Sequence, residues 1–170
     1  MNKRLTSIFV FFVLTIYTAP LTVFAQNTGE QSSESVLQDD EVYAVKAAVE
    51  QFLQALGNGE LEKVKAMFLP NANIASITAK DGEVRIYTTS AAEYISQREG
   101  KESRKFQEPV QEYVVNISQG LLAFVRADAT VYYDGMASHR TNDFFTLMKD
   151  HGTWKILSGS YTTLPLDKDH

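Results

Sequence analysis

The sequence of 170 residues predicts an α+β domain in which helices come first and a mainly antiparallel sheet follows. Three observations carry that prediction. Val42, Val45, Val49, Phe52, Leu53 and Leu56 recur at helical spacing. Asp134-Gly135, between two long runs rich in β-forming residues, is a strong hairpin signal. The last helical pattern ends near Gln97, after an earlier strand pair between the second and third helices, and the rest of the chain reads as strands joined by short turns.

Along the chain, Lys3-Arg4, the apolar run Ile8 to Ile16, Pro20 and the small residue of Val23-Phe24-Ala25 make residues 1–25 a secretory signal peptide. Its apolar run is too short for a membrane anchor, and with no cysteine there is no site for a lipid. The expected product is exported, periplasmic or secreted, with no membrane partner after cleavage. Residues 26–38 are rich in Ser, Gln and Glu and read as a disordered tether. The domain is expected over 39–164, with a short tail at 165–170.

Asp39 or Asp40 caps the first helix and Gly57 suits its end. Gly59-Glu60 opens a shorter helix carrying Leu61, Val64, Met67 and Phe68, which Pro70 stops. Ala72 to Thr78 and Val84 to Tyr87 read as a hairpin around Lys80-Asp81-Gly82. Ser90 with Glu93 forms a capping box for a third helix to about Gln97. Strands are then expected near 110–118, 121–133, 138–149 and 153–162.

Loss of Lys3 and Arg4 takes the net charge from −5 to about −7, which disfavours nucleic acid and anionic membranes. About 145 residues suffice for one core without disulfides. Asn116-Ile117-Ser118 matches a glycosylation acceptor by chance.

A two-residue turn at Asp134-Gly135 pairs Thr130 with His139, Asp128 with Thr141 and Arg126 with Asp143. A similar turn at Gln119-Gly120 sets Val115 beside Phe124 and Tyr113 beside Arg126. A four-residue loop over 149–152 sets Trp154 beside Leu147, Ile156 beside Phe145 and Ser158 beside Asp143. One sheet face then carries Arg126, Asp128, Thr130, His139, Thr141, Asp143, Ser158 and Ser160 at a polar end and Phe124, Phe145 and Trp154 at an apolar end. The other carries Val125, Ala127 and Phe144, too apolar for plain exposure, and is expected to form a homodimer.

The order of elements resembles the nuclear transport factor 2-like superfamily from Asp39 to about Tyr161. The runs Phe52-Leu53-Gln54-Ala55-Leu56-Gly57-Asn58-Gly59 and Phe68-Leu69-Pro70-Asn71-Ala72 look like that family's helix end, turn and strand entry. The closing Asp143-Phe144-Phe145-Thr146-Leu147-Met148-Lys149-Asp150-His151-Gly152-Thr153-Trp154-Lys155-Ile156 is similar to its last hairpin. With Tyr94, His139 and Tyr161, the chain is most similar to the SnoaL-like or putative lumazine-binding branch. The resemblance implies a cone-shaped fold, three helices packed on a strongly curved sheet, and it covers isomerases, dehydratases, cyclases and binding proteins alike. Against ketosteroid isomerase, Asp143 matches the donor carboxylic acid, but Phe52 stands at the tyrosine position and Ser76 at that of the base.

In this register Arg126 favours an ionised Asp143, and the pair either satisfies itself or orients a ligand. His139 lies roughly 13 Å along its strand from Asp143, so Asp128, on the diagonal across the hairpin, is its better partner. Tyr113 and Tyr132 offer phenols to the same face. No metal site and no cofactor are expected, because His151 and His170 lie far from these groups in the sequence. The leading expectation is a domain that binds a small, partly apolar organic molecule through Tyr113, Arg126, Asp143, Ser158, Phe52, Phe124, Phe145 and Trp154. The alternatives are a lyase or isomerase using His139 and Asp128 for proton transfer, and a non-catalytic homodimeric assembly module.

Overall fold

A computed structural model describes residues 28–80, 83–101 and 104–166. The expected signal peptide, the Asp81-Gly82 turn and the end of the tail lie outside the described residues. α1 (Thr28–Asn58) and α2 (Leu61–Met67) lead into β1 (Phe68–Lys80), β2 (Glu83–Ser90) and α3 (Ala91–Ser96). β3 (Val110–Ser118), β4 (Leu122–Tyr133), β5 (Met136–Asp150) and β6 (Thr153–Leu164) complete one sheet of order β2-β1-β6-β5-β4-β3. Every neighbouring pair is antiparallel except β1 with β6. This is the α+β cone: helices on one face of a curved sheet. No helix among the described residues is long and apolar enough to cross a membrane.

The apolar stripe of α1 buries Val45, Val49, Phe52, Leu53 and Ala55 against the sheet. Its backbone runs through 28–38, the stretch that composition reads as a tether. Ser, Gln and Glu cannot pack a core, but they permit a helix nucleated further along to continue. The helix ends as Gly59 turns left-handed at φ 75°. Gly57 serves a different purpose: a Cβ there would lie 2.3 Å from the carbonyl oxygen of Phe106. Ser90 caps α3 by accepting from the Glu93 amide at 3.1 Å, while the Glu93 carboxylate accepts from Thr89 Oγ1 at 2.8 Å instead of closing the box on the cap.

The strands form near their expected places, except that β1 begins at Phe68 and includes Pro70, where the second helix was expected to carry Phe68 and stop at Pro70; the registers differ more. Ser138 is an extra residue in β5, since Tyr132 pairs with Ala137 but Val131 pairs with His139. The Gln119-Gly120 turn closes with Leu121 N donating to Ser118 O at 3.0 Å, yet Leu121 then leaves the ladder and Ser118 pairs with Leu122. These two single-residue shifts flank β4 and turn it over relative to both neighbours. Arg126 therefore pairs with Phe144, Asp128 with Asn142 and Thr130 with Arg140, while Ala127 pairs with Asp143. Tyr113 pairs with Ala127 and Val115 with Val125.

In the last hairpin His151 and Gly152 both adopt positive φ and make a two-residue turn, so Trp154 pairs with Lys149 and Ile156 with Leu147. Trp154 keeps its expected face, because a slip of two residues preserves parity. A second irregularity at Leu157 puts Ser158 beside Thr146 on the outer face and turns Gly159 inward, beside Phe145. Val125 and Ala127, expected to face a second subunit, are instead buried under the helices. Of the three residues expected at a dimer interface only Phe144 lies outside, 48% exposed, with Phe124, Val114 and Met148 also exposed on that face.

Candidate functional site

Between the helices and the inner face of β5 and β6 lies a cavity of about 220 Å³. Phe52, Leu53 and Leu56 of α1, Ile74 of β1 and Phe145 of β5 form its apolar side. Phe52 meets Phe68 and Phe145 edge to face, at centroid distances of 5.3 and 5.7 Å, which fixes that wall in place. Gly159 leaves the room: a Cβ there would come within 3.1 Å of Ile74 Cδ1 and 3.4 Å of Phe145 Cε1.

The polar end is built by two segments. β5 presents His139, Thr141 and Asp143 at alternate positions, because the Ser138 bulge has turned that side of the strand inward. The segment before β3 presents Phe106 and Glu108. It is held by main-chain bonds: Phe106 N donates to Gly57 O at 3.1 Å, Gln107 N to Tyr132 O at 3.0 Å, and Tyr132 N to Gln107 O at 2.8 Å. Thr141 Oγ1 stands 2.8 Å from Glu108 Oε1 and 3.1 Å from Asp143 Oδ2, tying the two segments together.

Asp143 is 5% exposed. Burial, then the charge of Glu108, and less strongly that of Asp128, push its carboxyl up to about 8 against the opposing hydrogen bond from Thr141. Burial raises Glu108 as well. Tyr94 of α3, also in the cavity wall, is pushed up to about 12 chiefly by burial, and the guanidinium of Arg98 stacks 3.6 Å from its ring centre. His139 is lowered by burial; its Nδ1 lies 3.1 Å from Ser138 Oγ. Tyr133 and Tyr161 close the rim.

Of the candidate site residues, Phe52, His139, Thr141, Asp143, Phe145 and Ser160 meet at this cavity, as do Tyr94 and Tyr161 of the family resemblance. The other candidates lie elsewhere. Arg126 sits on the outer face, bonded to Asp128 at 2.9 Å and 3.7 Å from Glu112, so it does not hold Asp143 ionised. Asp128 also accepts from Asn142 Nδ2 at 2.7 Å on that face, so the sheet separates it from His139 and the expected acid/base pair does not form. Phe124 and Ser158 are on the outer face too. Trp154 is buried at the far end of α1, where its Nε1 donates to Glu41 Oε2 at 3.1 Å and Lys149 pairs with the same carboxylate. Tyr113 does face inward, but toward α1, donating to Glu50 Oε1 at 3.4 Å.

Glu108, Arg98 and Phe106 are site residues that the sequence alone does not single out. Glu108 sits in an irregular stretch with no periodicity to give it a face; its one signal was a lone acid wedged between Phe106 and Pro109. Among the described residues no three His, Cys, Asp or Glu side chains converge as metal ligands. The arrangement offers donors, acceptors and a movable proton at one end of an apolar chamber.

Residues 40–162 match the family described as putative lumazine-binding. No curated protein matches the chain. Among solved structures, an NTF2-like protein with a cystatin-like fold from Novosphingobium aromaticivorans is similar over 85% of this chain and 94% of its own, at 10% identity and a TM-score of 0.62. A putative scytalone dehydratase from the same species covers 82% and 99% at 15% identity and 0.58. An NTF-2 like protein of unknown function from Silicibacter pomeroyi covers 74% and 98% at 20% identity and 0.51. At these identities the likeness concerns the fold.

Proposed function

This chain belongs to the putative lumazine-binding family, within the nuclear transport factor 2-like superfamily, and from that premise we propose that it is an exported domain that holds a small, partly apolar organic molecule in its cone. The carrying observation is the chamber itself, with aromatic walls and the Glu108–Thr141–Asp143 cluster at one end. Apolar lining with a few convergent polar groups is the usual make-up of a ligand site. Its 220 Å³ falls below the common range of about 300–1,000 Å³, so the ligand is small. Export is supported by Lys3-Arg4, the apolar run that follows and Ala25 before Gln26. A homodimer through the outer sheet face is supported by exposed Phe124 and Phe144, which are side by side there with Val114 and Met148.

One experiment addresses all three parts: native mass spectrometry of the protein purified from its own host. The polypeptide mass should begin at Gln26, the complex should be dimeric, and a small molecule should be retained. Gly159→Val should release that molecule by filling the space between Ile74 and Phe145, with circular dichroism unchanged. Phe144→Asp should yield monomer and keep the ligand. A spectrum with no adduct, or an adduct indifferent to Gly159→Val, would sink the binding reading; an intact leader or a monomeric parent would sink the corresponding part.

A further inference from the structure

The polar end of the chamber narrows the chemistry of its ligand. Thr141 Oγ1 is within hydrogen-bond reach of both Glu108 and Asp143, yet a hydroxyl carries one proton and donates to one of them. Were both carboxyls ionised, the remaining oxygen–oxygen contact would set two acceptors against each other. One proton on the pair resolves this: the protonated carboxyl donates to Thr141 Oγ1, which donates onward to its neighbour. Burial and mutual repulsion favour that proton, as the raised carboxyls of both residues indicate. The charges that bear on Asp143 are negative, Glu108 and Asp128. Arg98, the cation in the wall, is turned to Tyr94, stacking on its ring and donating to its carbonyl at 3.1 Å.

We propose that the chamber takes an organic cation, an ammonium or amidinium on a small apolar body, whose N–H groups bridge Glu108 and Asp143 in place of the shared proton. As the cation enters, the protonated carboxyl loses its O–H bond and the proton passes to solvent. The pair goes from one negative charge to two, and the incoming positive charge offsets the second. An ionised carboxylate only accepts, and an ammonium or amidinium only donates, so the contact sets no like groups together. Of the tyrosine rings in the same wall, Tyr94 and Tyr133 each hold a guanidinium on one face, Arg98 at 3.6 Å and Arg104 at 4.5 Å, so it is the ring of Tyr161 that suits a cation and its apolar body.

Other groups near the pair do not supply the proton at neutral pH. His139 on β5 is lowered by burial and is already largely neutral, and Tyr94 on α3 holds its proton up to about 12. Tyr113 on β3 is raised further by burial and by the charge of Glu50. Asp128 acts from the outer face, fixed by Arg126.

This inference rests on the cavity being a ligand site, and the two fail differently. The full-length mature chain is titrated calorimetrically with benzamidine, benzamide and benzoate at pH 7, in two buffers of unlike ionisation enthalpy. Benzamidine should bind tighter than benzamide by about tenfold or more, release a proton, and gain affinity toward pH 8; benzoate should not bind. Asp143→Asn should erase the preference and the proton release while benzamide still binds. Glu108→Gln, at a less buried position, should do the same and covers the case in which the Asp143 variant is unstable. Equal or tighter binding of benzamide, or affinity that falls toward pH 8, overturns the cation and leaves the cavity reading intact. Absence of binding by all three probes also overturns the cation; the cavity reading then falls only if host-purified protein carries no adduct.

Discussion

Asp143 and Asp128 occupy adjacent strands within one residue of the same register position, and they live in opposite worlds. Asp128, on the outer face, accepts from Arg126 and Asn142 and has water beside it. Asp143, on the inner face, has Thr141 and a second acid for company. The local sequence around the two is alike, an acid among β-branched, aromatic and small residues. What separates them is the side of the pleat, and that is decided by where single residues are inserted into the ladder. In this sheet a polar cluster read from sequence as one site is split by the backbone into a surface ion pair and a buried proton-holding pair.

The comparison of faces is tested most severely at two consecutive residues. Phe145→Ala should cost about 3–5 kcal/mol in urea unfolding, because its ring is packed against Phe52 and Gly159 in the core. Phe144→Ala, whose ring is 48% exposed on the outer face, should stay within about 0.5 kcal/mol in the monomer. Comparable losses at both positions would mean that β5 does not have the inner and outer faces described.

A smaller effect separates the two aspartates by pH. The folded state holds the Asp143 proton up to about 8, whereas the unfolded chain releases it near the ordinary aspartate value of 3.8. Its contribution to stability is therefore complete below the unfolded value and is lost as pH rises through about 8. Thermal unfolding should show the parent protein losing stability between pH 6 and 9 and Asp143→Asn losing less. Asp128→Asn should reduce the parent's slope only slightly, since it removes the weaker of the two negative charges that hold the proton on Asp143. An unchanged slope in Asp143→Asn would show that the proton sits elsewhere.

The smallest effect belongs to the outer pair. Arg126 is 41% exposed and Asp128 26%, so screening by water leaves Arg126→Ala costing about 0.2–1 kcal/mol, less in high salt. A loss of several kcal/mol would place that pair inside the protein after all.

Most of the architecture was legible in the amino-acid sequence because it rests on periodicity and on turn chemistry. The stripe of Val45, Val49, Phe52 and Leu53, the Ser90 cap and the Asp134-Gly135 turn each act within a few residues, and each formed where expected. Bulges are not local in that sense. Leu121, Ser138 and Leu157 carry no mark that distinguishes them from ladder residues; their extrusion lets the sheet bury Ala123, Val125, Ala127, Ala129 and Val131 and present Arg126 and Asp128 to water. The site inherited that difficulty. Phe52, Asp143 and Phe145 could be found from spacing and resemblance, whereas Glu108 reaches the chamber from a segment without regular structure, and Arg126 and Ser158 were carried to the wrong side by the assumed registers.

The main-chain clasp around Phe106 to Glu108 has a consequence for how this protein can diverge. The segment is tied by its own amides and carbonyls to Gly57 and Tyr132, and through Glu108 to Thr141, so its placement does not depend on the rings and aliphatic groups of the chamber wall. Selection can therefore exchange the rings and aliphatic groups around the chamber, refitting it to new guests, while the acid stays put. The exception is position 57, where the helix runs too close to Phe106 to admit even a methyl group. Descendants that recruit the chamber for another purpose should vary freely along its walls and keep a glycine at that hinge of contact.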